Sequence, residues 1–182
     1  MEYFTFPSPF GTFTIVWKGM EPDLQLQRIF LSDPQQKSEK KALKFFQSVN
    51  SGSSSLINSL GEKIQHFLKG KDIEFDLEML DFTVCSEIQK KVLQADFQIP
   101  RGWVSTYKRI ANHLGIQNGE RVIGNLLAKN PFPLVIPCHR VIKSNGELGG
   151  YQGGIKMKRR LLEMEGSQIS EKGKVITDRI YY

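Results

Sequence analysis

Cysteine is scarce in this 182-residue chain, which contains two and no Cys-x-x-Cys pair. That scarcity argues against a disulfide framework or a structural zinc finger, and we predict neither a metal nor a cofactor. Long apolar runs are also missing. None approaches the roughly 20 residues of a membrane span, and Met1-Glu2-Tyr3 opens no secretory signal. We therefore expect a globular protein of a reducing compartment, the cytoplasm or, in a eukaryote, the nucleus.

One of the two cysteines, Cys138, has an unusual setting. It follows a short apolar run between Pro133 and Pro137, and His139 stands directly after it. The run Leu134 to Ile136 predicts a short buried strand that ends at Pro137, because proline cannot continue a central ladder. A nearby imidazole or a helix N-terminus can lower a thiol pKa by roughly one to several units and so create a nucleophile. Cysteine is also among the residue types most often buried, so the Cys-His pair alone leaves a structural role open.

Charge is distributed unevenly along the chain. Residues 1–100 carry 11 Lys and Arg against 13 Asp and Glu, whereas residues 101–182 carry 14 against 6, within a net charge of +6. The basic half is the one that contains Cys138. This asymmetry indicates a polyanionic partner, although a solvated basic surface would produce the same composition.

The first 75 residues predict a small α+β domain. β-favouring runs and helical periodicity predict three strands and then two helices, over residues 2–6, 12–17, 24–31, 41–49 and 56–68. Residues 76–83 follow as a linker or an extended crossing segment. No catalytic cluster occurs in this half, and His66 has no companions at metal-ligand spacing.

Residues 84–182 predict a second, mainly helical domain. A capping pattern at Ser86 opens a helix that reaches about Phe97, with Cys85 beside it in a structural role. Ser105 or Thr106 can cap the next helix, and a further helix over 120–129 follows after a short turn. Two short helices around such a turn form a helix-turn-helix pattern.

Two features follow the cysteine. Asn145-Gly146 predicts a hairpin that folds residues 141–144 against 147–149. The glycines between 149 and 154 allow the backbone to approach a ligand closely, and Ile155 to Glu165 predicts the last helix.

Several motifs of this half resemble, in matching order, those of the O6-alkylguanine-DNA alkyltransferases. The clearest is Pro137-Cys138-His139-Arg140-Val141, which resembles the active-site signature of that family. The others are GWVSTYKRIA at 102–111, RVIG at 121–124, NP at 130–131, GYQGG at 150–154 and LLEMEG at 161–166. Together they span residues 84–168.

The resemblance implies an α+β fold. A small N-terminal sheet-plus-helix domain at 1–75 and a linker at 76–83 would precede a helix-turn-helix-containing alkyltransferase domain at 84–182. The implied function is DNA repair by a methylated-DNA–protein-cysteine S-methyltransferase that acts once. It would flip O6-alkylguanine, chiefly O6-methylguanine, out of duplex DNA and transfer the alkyl group irreversibly to Cys138. The implied partner is double-stranded DNA that contains the lesion, bound by a monomer with no membrane and no cofactor.

The resemblance also implies roles for individual residues. Cys138 would accept the alkyl group, His139 would act through water as its base, and Glu165 would orient His139. Tyr107 would hydrogen-bond the base and donate a proton as guanine departs, while Asn130 would link the DNA-binding helix to the active-site strand. Arg121 would fill the vacated stack. The residues implied in DNA binding are Thr106, Tyr107, Arg121 and Gly124, and those implied in substrate binding are Leu127, Val141, Tyr151, Gln152 and Gly153.

Three positions depart from the family pattern. Val122 stands where Ala is usual, Asn125 where a small residue is common, and Gln152 where the glycine loop usually has Ser. These departures concern the DNA-binding helix and one base contact. Two alternatives stay open: a non-catalytic protein that binds alkylated DNA, and a Cys-His hydrolase. The hydrolase is disfavoured, because the chain has no cysteine-protease signature and a hydrolase has no need of a basic helix-turn-helix.

Overall fold

A computed structural model describes all residues from Met1 to Tyr182. The chain divides into two compact units. The first comprises residues 1–84 and 131–135, and the second comprises 85–130 and 136–182. The ranges 1–75, 76–83 and 84–182 stay a prediction as domain limits.

The first unit is a four-stranded sheet with two helices. Its strands are β1 (Glu2–Ser8), β2 (Gly11–Lys18), β3 (Gln25–Leu31) and the short β4 (Asn50–Ser51). They lie in the order β3-β2-β1-β4, with β2 antiparallel to both β1 and β3, and with β4 parallel to β1. The helices are α1 (Ser38–Phe45) and α2 (Ser55–Leu68).

The central strand β2 is buried on both faces from Phe13 to Trp17. Its Val16 packs with Phe30 and Ala42, which joins α1 to the sheet. Helix α1 begins three residues earlier than periodicity predicts. The reason is Ser38, whose fully buried hydroxyl hydrogen-bonds the side chains of Thr12 and Thr14 and holds the start of the helix on β2.

The segment before residue 84 runs beside β3. Backbone bonds join Leu26 to Met79 and Asp81, and Phe82–Val84 form a 3₁₀ turn. The Asp81 carboxylate, 3% exposed, accepts hydrogen bonds from the side chains of Lys18, Gln27 and Thr83. This buried acid of the first unit is fully partnered.

The second unit is mainly helical, and the predicted α+β fold is confirmed. Its helices are α3 (Glu87–Phe97), α4 (Tyr107–His113), α5 (Glu120–Ala128) and α6 (Ile155–Met164). Short strands β5 (Ser105–Thr106) and β6 (Val141–Ile142) pair in parallel, and β7 (Gln168–Ile169) and β8 (Val175–Ile176) pair antiparallel. Helices α4 and α5 contact each other as the predicted helix-turn-helix.

Two predicted caps in this unit form as expected. The hydroxyls of Ser86 and Thr106 accept hydrogen bonds from the backbone N–H groups of Gln89 and Arg109, at 3.3 and 3.1 Å. Each bond satisfies a donor that the first turn of a helix leaves free. The starts of α3 and α4 are therefore local properties of the sequence.

The prediction of a buried strand over Leu134 to Ile136 is wrong. These residues form a turn, and Leu134 has φ of 77°. Pro133 and Pro137 carry no N–H, so a ladder has no donor on either side of the run. Burial of the run reflects its place in the interior and not membership of a sheet.

The hairpin predicted at Asn145-Gly146 is only partly correct. A backbone bond from Lys143 N–H to the Glu147 carbonyl, at 2.8 Å, closes the turn. Residues 147–149 do not continue as a strand: β6 pairs with β5, and Glu147 forms an isolated bridge to Lys174. The chain after Glu147 continues as the glycine loop, which leads to α6.

The segment after α6 packs within the second unit. Backbone bonds link Val104 to Arg179 and Tyr181, and the Tyr182 hydroxyl donates to the Ala95 carbonyl at 2.9 Å. The Tyr182 ring also stacks on His113, with centroids 3.9 Å apart. No helix in the structure combines the length and apolar character that crossing a membrane requires.

Candidate active site

Cys138 opens a 3₁₀ turn, Cys138–Arg140, directly after the proline-bounded run. Its side chain is 6% exposed. Asn130, which is fully buried just past the end of α5, donates its amide to the Cys138 sulfur at 3.3 Å and to the Ile136 carbonyl at 3.2 Å. One amide therefore connects the end of the second helix of the helix-turn-helix to the cysteine.

His139 lies in the same turn and is completely buried. Its Nε2 is 3.0 Å from Glu165 Oε1, and the two Glu165 oxygens also accept hydrogen bonds from Arg140 Nη2 and Nε at 2.8 and 2.9 Å. Burial opposes ionisation of Glu165, but His139 and Arg140 hold its pKa well below the usual range. The carboxylate is thus charged and fixes the orientation of the imidazole.

The thiol is protonated in the free protein. Burial raises the pKa of Cys138 to about 12, with ionised Asp96 adding to the effect and the Asn130 amide opposing it. A lowering of the thiol pKa by the neighbouring groups does not prevail here, because the interior disfavours the thiolate more than its neighbours favour it. Burial also lowers the pKa of His139, against the pull of Glu165, so the imidazole is neutral at pH 7 and can accept a proton.

A pocket of about 530 Å³ opens beside Cys138, within the second unit. This volume is within the usual range for small-molecule sites. Seven of the site residues predicted from the sequence line this pocket: Tyr107, Arg121, Gly124, Leu127, Cys138, Tyr151 and Gln152. Asn125, Gly149 and Gly150 are among the other residues that line it.

Three of the residues predicted to bind DNA or substrate do not line this pocket. Thr106 is occupied as the cap of α4. Val141 is completely buried in β6, where its carbonyl accepts from the Lys158 ammonium at 2.6 Å. Gly153 is buried in the loop before α6. Their roles in binding stay predictions.

Tyr107 and the glycine loop meet at close range. A Cβ on Gly149, whose φ is +72°, would lie 2.7 Å from the Tyr107 hydroxyl, which is shorter than any real contact of that kind. Only glycine leaves room for the phenol at this point. Burial raises the pKa of Tyr107 to about 12, so the phenol keeps its proton at neutral pH.

Gln152 closes the loop against the helix-turn-helix. Its Nε2 donates to the Asn130 carbonyl at 2.7 Å, which assigns the amide orientation because a carbonyl requires a donor. Asn130 therefore holds both the cysteine turn, through its side chain, and the glycine loop, through its backbone.

The α5 helix presents one face to solvent beside the pocket. Arg121, Val122, Asn125 and Ala128 are exposed, whereas Ile123 and Leu127 are buried. A Cβ at Gly124 would meet only the Tyr107 ring, at 3.9 Å. The exposed arginine, the small surface residues and the pocket thus lie along the same helix.

The sequence analysis missed two buried charged residues of this unit. Asp96 on α3 and Lys158 on α6 are both completely shielded from solvent. Each occupies the buried stripe of its helix, Asp96 next to Val92 and Lys158 next to Leu161 and Leu162. A charge on an apolar stripe at helical spacing is the signal that could have revealed them.

Fold and site together define a class: a helix-turn-helix protein with a buried, histidine-flanked cysteine beside an open pocket. A family model described as 6-O-methylguanine DNA methyltransferase, DNA binding domain, matches residues 87–167. A methylated-DNA–protein-cysteine methyltransferase of Saccharolobus islandicus is 40% identical over 124 residues, which are 67% of this chain and 78% of that protein. This chain belongs to the methylated-DNA–protein-cysteine methyltransferase family.

Further relatives agree with this assignment. A methyltransferase of the same name from Methanothermobacter thermautotrophicus is 50% identical over 113 residues, which are 62% of this chain and 63% of that protein. The match thus spans less than two thirds of that relative's length. The crystal structure of Mycobacterium tuberculosis OGT in complex with DNA superposes with a TM-score of 0.73 at 28% identity, covering 91% of this chain and 92% of that one.

Proposed function

We propose that this protein repairs DNA by transferring the alkyl group of O6-alkylguanine to its own Cys138. The observation that carries the proposal is the buried series Asn130, Cys138, His139 and Glu165 beside a pocket that the helix-turn-helix also lines. Family membership and the similarity to an OGT structure in complex with DNA support it. We infer that the protein binds duplex DNA as a monomer.

The transfer is an in-line displacement at the alkyl carbon. The sulfur–carbon bond forms as the carbon–O6 bond breaks, and the bonding electron pair stays with guanine. His139 accepts the thiol proton through water, because its imidazole is neutral and Glu165 stabilises the imidazolium that results. Tyr107 supplies a proton to the departing base and is restored by the proton that His139 holds.

The resulting thioether is chemically stable, so each molecule acts once. The high pKa of Cys138 has a protective consequence in this scheme. A thiol that stays protonated until the base is bound reacts only slowly with stray alkylating agents.

The base enters the pocket only after it leaves the duplex, which costs on the order of a few kcal/mol. Arg121 would fill the vacated position, and the exposed face of α5 would lie in the minor groove, where binding depends little on sequence. Val122 and Asn125, both exposed, would then change the contact that the small residues usual in the family make.

The test is intact-protein mass spectrometry after mixing with a duplex that carries one O6-methylguanine, followed by peptide mapping. We expect a gain of one CH2 unit on the Cys138 peptide that saturates at one per protein. Binding without a change in mass would instead support the lesion-binding alternative, and absence of both would overturn the proposal.

A further inference from the structure

Asp96 has no counterpart in the reaction scheme above, yet it lies on α3, which packs against the turn that carries Cys138. It is 0% exposed, and neither carboxylate oxygen has a hydrogen-bond partner. A buried carboxyl in this condition is costly and calls for an explanation. Asp81 in the first unit shows the ordinary solution, with three side-chain donors.

The backbone places Asp96 behind the cysteine turn. Helix α3 packs against Cys138–Arg140, and Arg140 Nη1 donates at 2.7 Å to the carbonyl of Ile99, three residues beyond Asp96. The Tyr182 hydroxyl donates a hydrogen bond to the carbonyl of Ala95, the residue before Asp96. Asp96 is therefore held inside the unit by elements that also hold the site.

The charged neighbours of Asp96 are few. Arg140 and Lys158 are the cations that favour its ionised form, and Arg140 is already bound to both oxygens of Glu165. Lys158 is completely buried, and its ammonium donates to two carbonyls, those of Val141 and Gly150, at 2.6 and 3.3 Å. It has no carboxylate partner, so it is the one buried cation whose charge is not already paired.

Asp96 and Cys138 are the two acids that interact electrostatically with the Lys158 ammonium. Ionised Asp96 and ionised Cys138 both act on Lys158, and burial, which is the larger effect, lowers the pKa of Lys158 to about 8. Burial likewise raises the pKa of Asp96 to about 7, against the pull of Arg140 and Lys158. A single ammonium in a low-dielectric interior stabilises one nearby anion well but not two.

We propose that Asp96 is a positioning residue for alkyl transfer, which competes with the Cys138 thiolate for the buried Lys158 cation. While Asp96 is ionised, its charge adds to the effect of burial that keeps the Cys138 thiol protonated. When Asp96 is protonated, the charge of Lys158 is left for the thiolate. The relevance to repair rests on the proposed function, whereas the competition itself is a property of the folded protein.

The test compares wild type with Asp96→Asn. The rate of Cys138 carboxamidomethylation by iodoacetamide is followed by peptide mass spectrometry from pH 5.5 to 8.5, and Cys85 serves as an internal reference thiol. We expect equal rates at pH 5.5, because Asp96 is protonated there. Above pH 7 we expect the variant to react roughly tenfold faster, since the competing anion is gone.

The ratio of the two rates isolates Asp96. The other titratable or charged groups around the site are present in both proteins, so the ratio reports the loss of the Asp96 charge, which acts on Cys138 directly and through Lys158, whose pKa that charge raises. These groups are Tyr107, His139, Arg140, Tyr151, Lys158, Glu165 and Tyr182. A merely structural Asp96 gives a ratio that does not depend on pH. A flat ratio, or a slower variant at pH 8, overturns the proposal.

Two further variants complete the design. Asp96→Leu also lacks the charge and fits the apolar stripe of α3. Its iodoacetamide rate relative to wild type must therefore rise with pH in the same way, even where Asp96→Asn folds poorly. Asp178→Asn removes an exposed carboxylate of the same unit and must leave the ratio at one. Transfer from O6-methylguanine duplex is measured in parallel. Absence of transfer in every protein refutes the proposed function, while the iodoacetamide ratio still decides the role of Asp96.

Discussion

Asp81 and Asp96 are both shielded from solvent, at 3% and 0% exposure, but they differ in every other respect. In the first unit, hydrogen bonds from Lys18, Thr83 and Gln27 overcome the effect of burial and hold the pKa of Asp81 well below its usual range. In the second unit, burial prevails and raises the pKa of Asp96 to about 7. The same side chain is thus a stabilising anchor in one unit and an unsatisfied acid in the other.

The two residues affect stability in opposite directions as pH changes. A carboxyl whose pKa is lowered by folding adds stability above its unfolded pKa of about 4, and that stability is lost as the pH falls. A carboxyl whose pKa is raised by folding costs stability as the pH rises from about 4 to its folded value near 7. At neutral pH, Asp81 therefore stabilises the fold, whereas ionisation of Asp96 destabilises it.

The largest effect should come from the nucleophile in the second unit. Cys138→Ala should abolish the gain of mass from O6-methylguanine duplex completely, because no other residue lies where the sulfur does. DNA binding should be retained. Cys85→Ala is the matched control and should transfer at the wild-type rate. A CH2 unit gained by the Cys138→Ala protein would contradict the assignment.

In the first unit, Asp81→Ala should lower the free energy of unfolding at pH 7 by about 3 kcal/mol, since it removes the acceptor of the buried Gln27 amide and of the Lys18 and Thr83 side chains. Urea unfolding measures this change. The transfer rate per folded molecule should stay at the wild-type value. A large loss of rate in the folded variant would break the distinction between the two units.

Asp96→Asn should show the opposite pattern. Its free energy of unfolding, relative to wild type, should rise by roughly 3 kcal/mol between pH 5 and pH 8. The reason is that over this range only the wild type is destabilised by ionisation of a buried carboxyl. Urea unfolding at the two pH values measures the difference. An offset that is the same at both would show that Asp96 does not titrate in this range.

Gly149→Ala should reduce the transfer rate on the order of 100-fold, because a Cβ at this position displaces the Tyr107 hydroxyl from the pocket. Single-turnover kinetics with the modified duplex measure the rate. Gly150→Ala, at a position where a Cβ meets nothing within 4 Å, is the control. Equal rates for the two variants would mean that the position of Tyr107 is unimportant.

The smallest effect should follow Arg121→Ala, which we expect to slow transfer from duplex DNA about tenfold while leaving the reaction with a free-base analogue nearly unchanged. The arginine is exposed and is one of the residues that line the pocket. Lys129→Ala, an exposed cation just past α5, provides the comparison. An equal loss of rate on the two substrates would contradict the proposal that Arg121 fills the position that the flipped base vacates in the duplex.

Much of the second unit could be predicted from local patterns. Ser86 and Thr106 cap helices through bonds to residues three positions away, so the sequence contains both partners. The buried stripe of α5 follows from periodicity alone. The strand at 134–136 was mispredicted because an apolar run reports burial and not the pairing of its backbone.

The sequence by itself determined which residues are candidates for the chemistry, since the Cys-His pair and the motifs around it are local, and it determined the helices that flank them. Only the tertiary structure decided their ionisation. The high pKa of Cys138, the neutral His139 and the unpartnered Asp96 depend on how completely water is excluded and on which charge stands nearby. Each ionisation state results from the combined effects of residues that are distant in the chain, from α3, α6 and the cysteine turn. No local sequence pattern contains these effects.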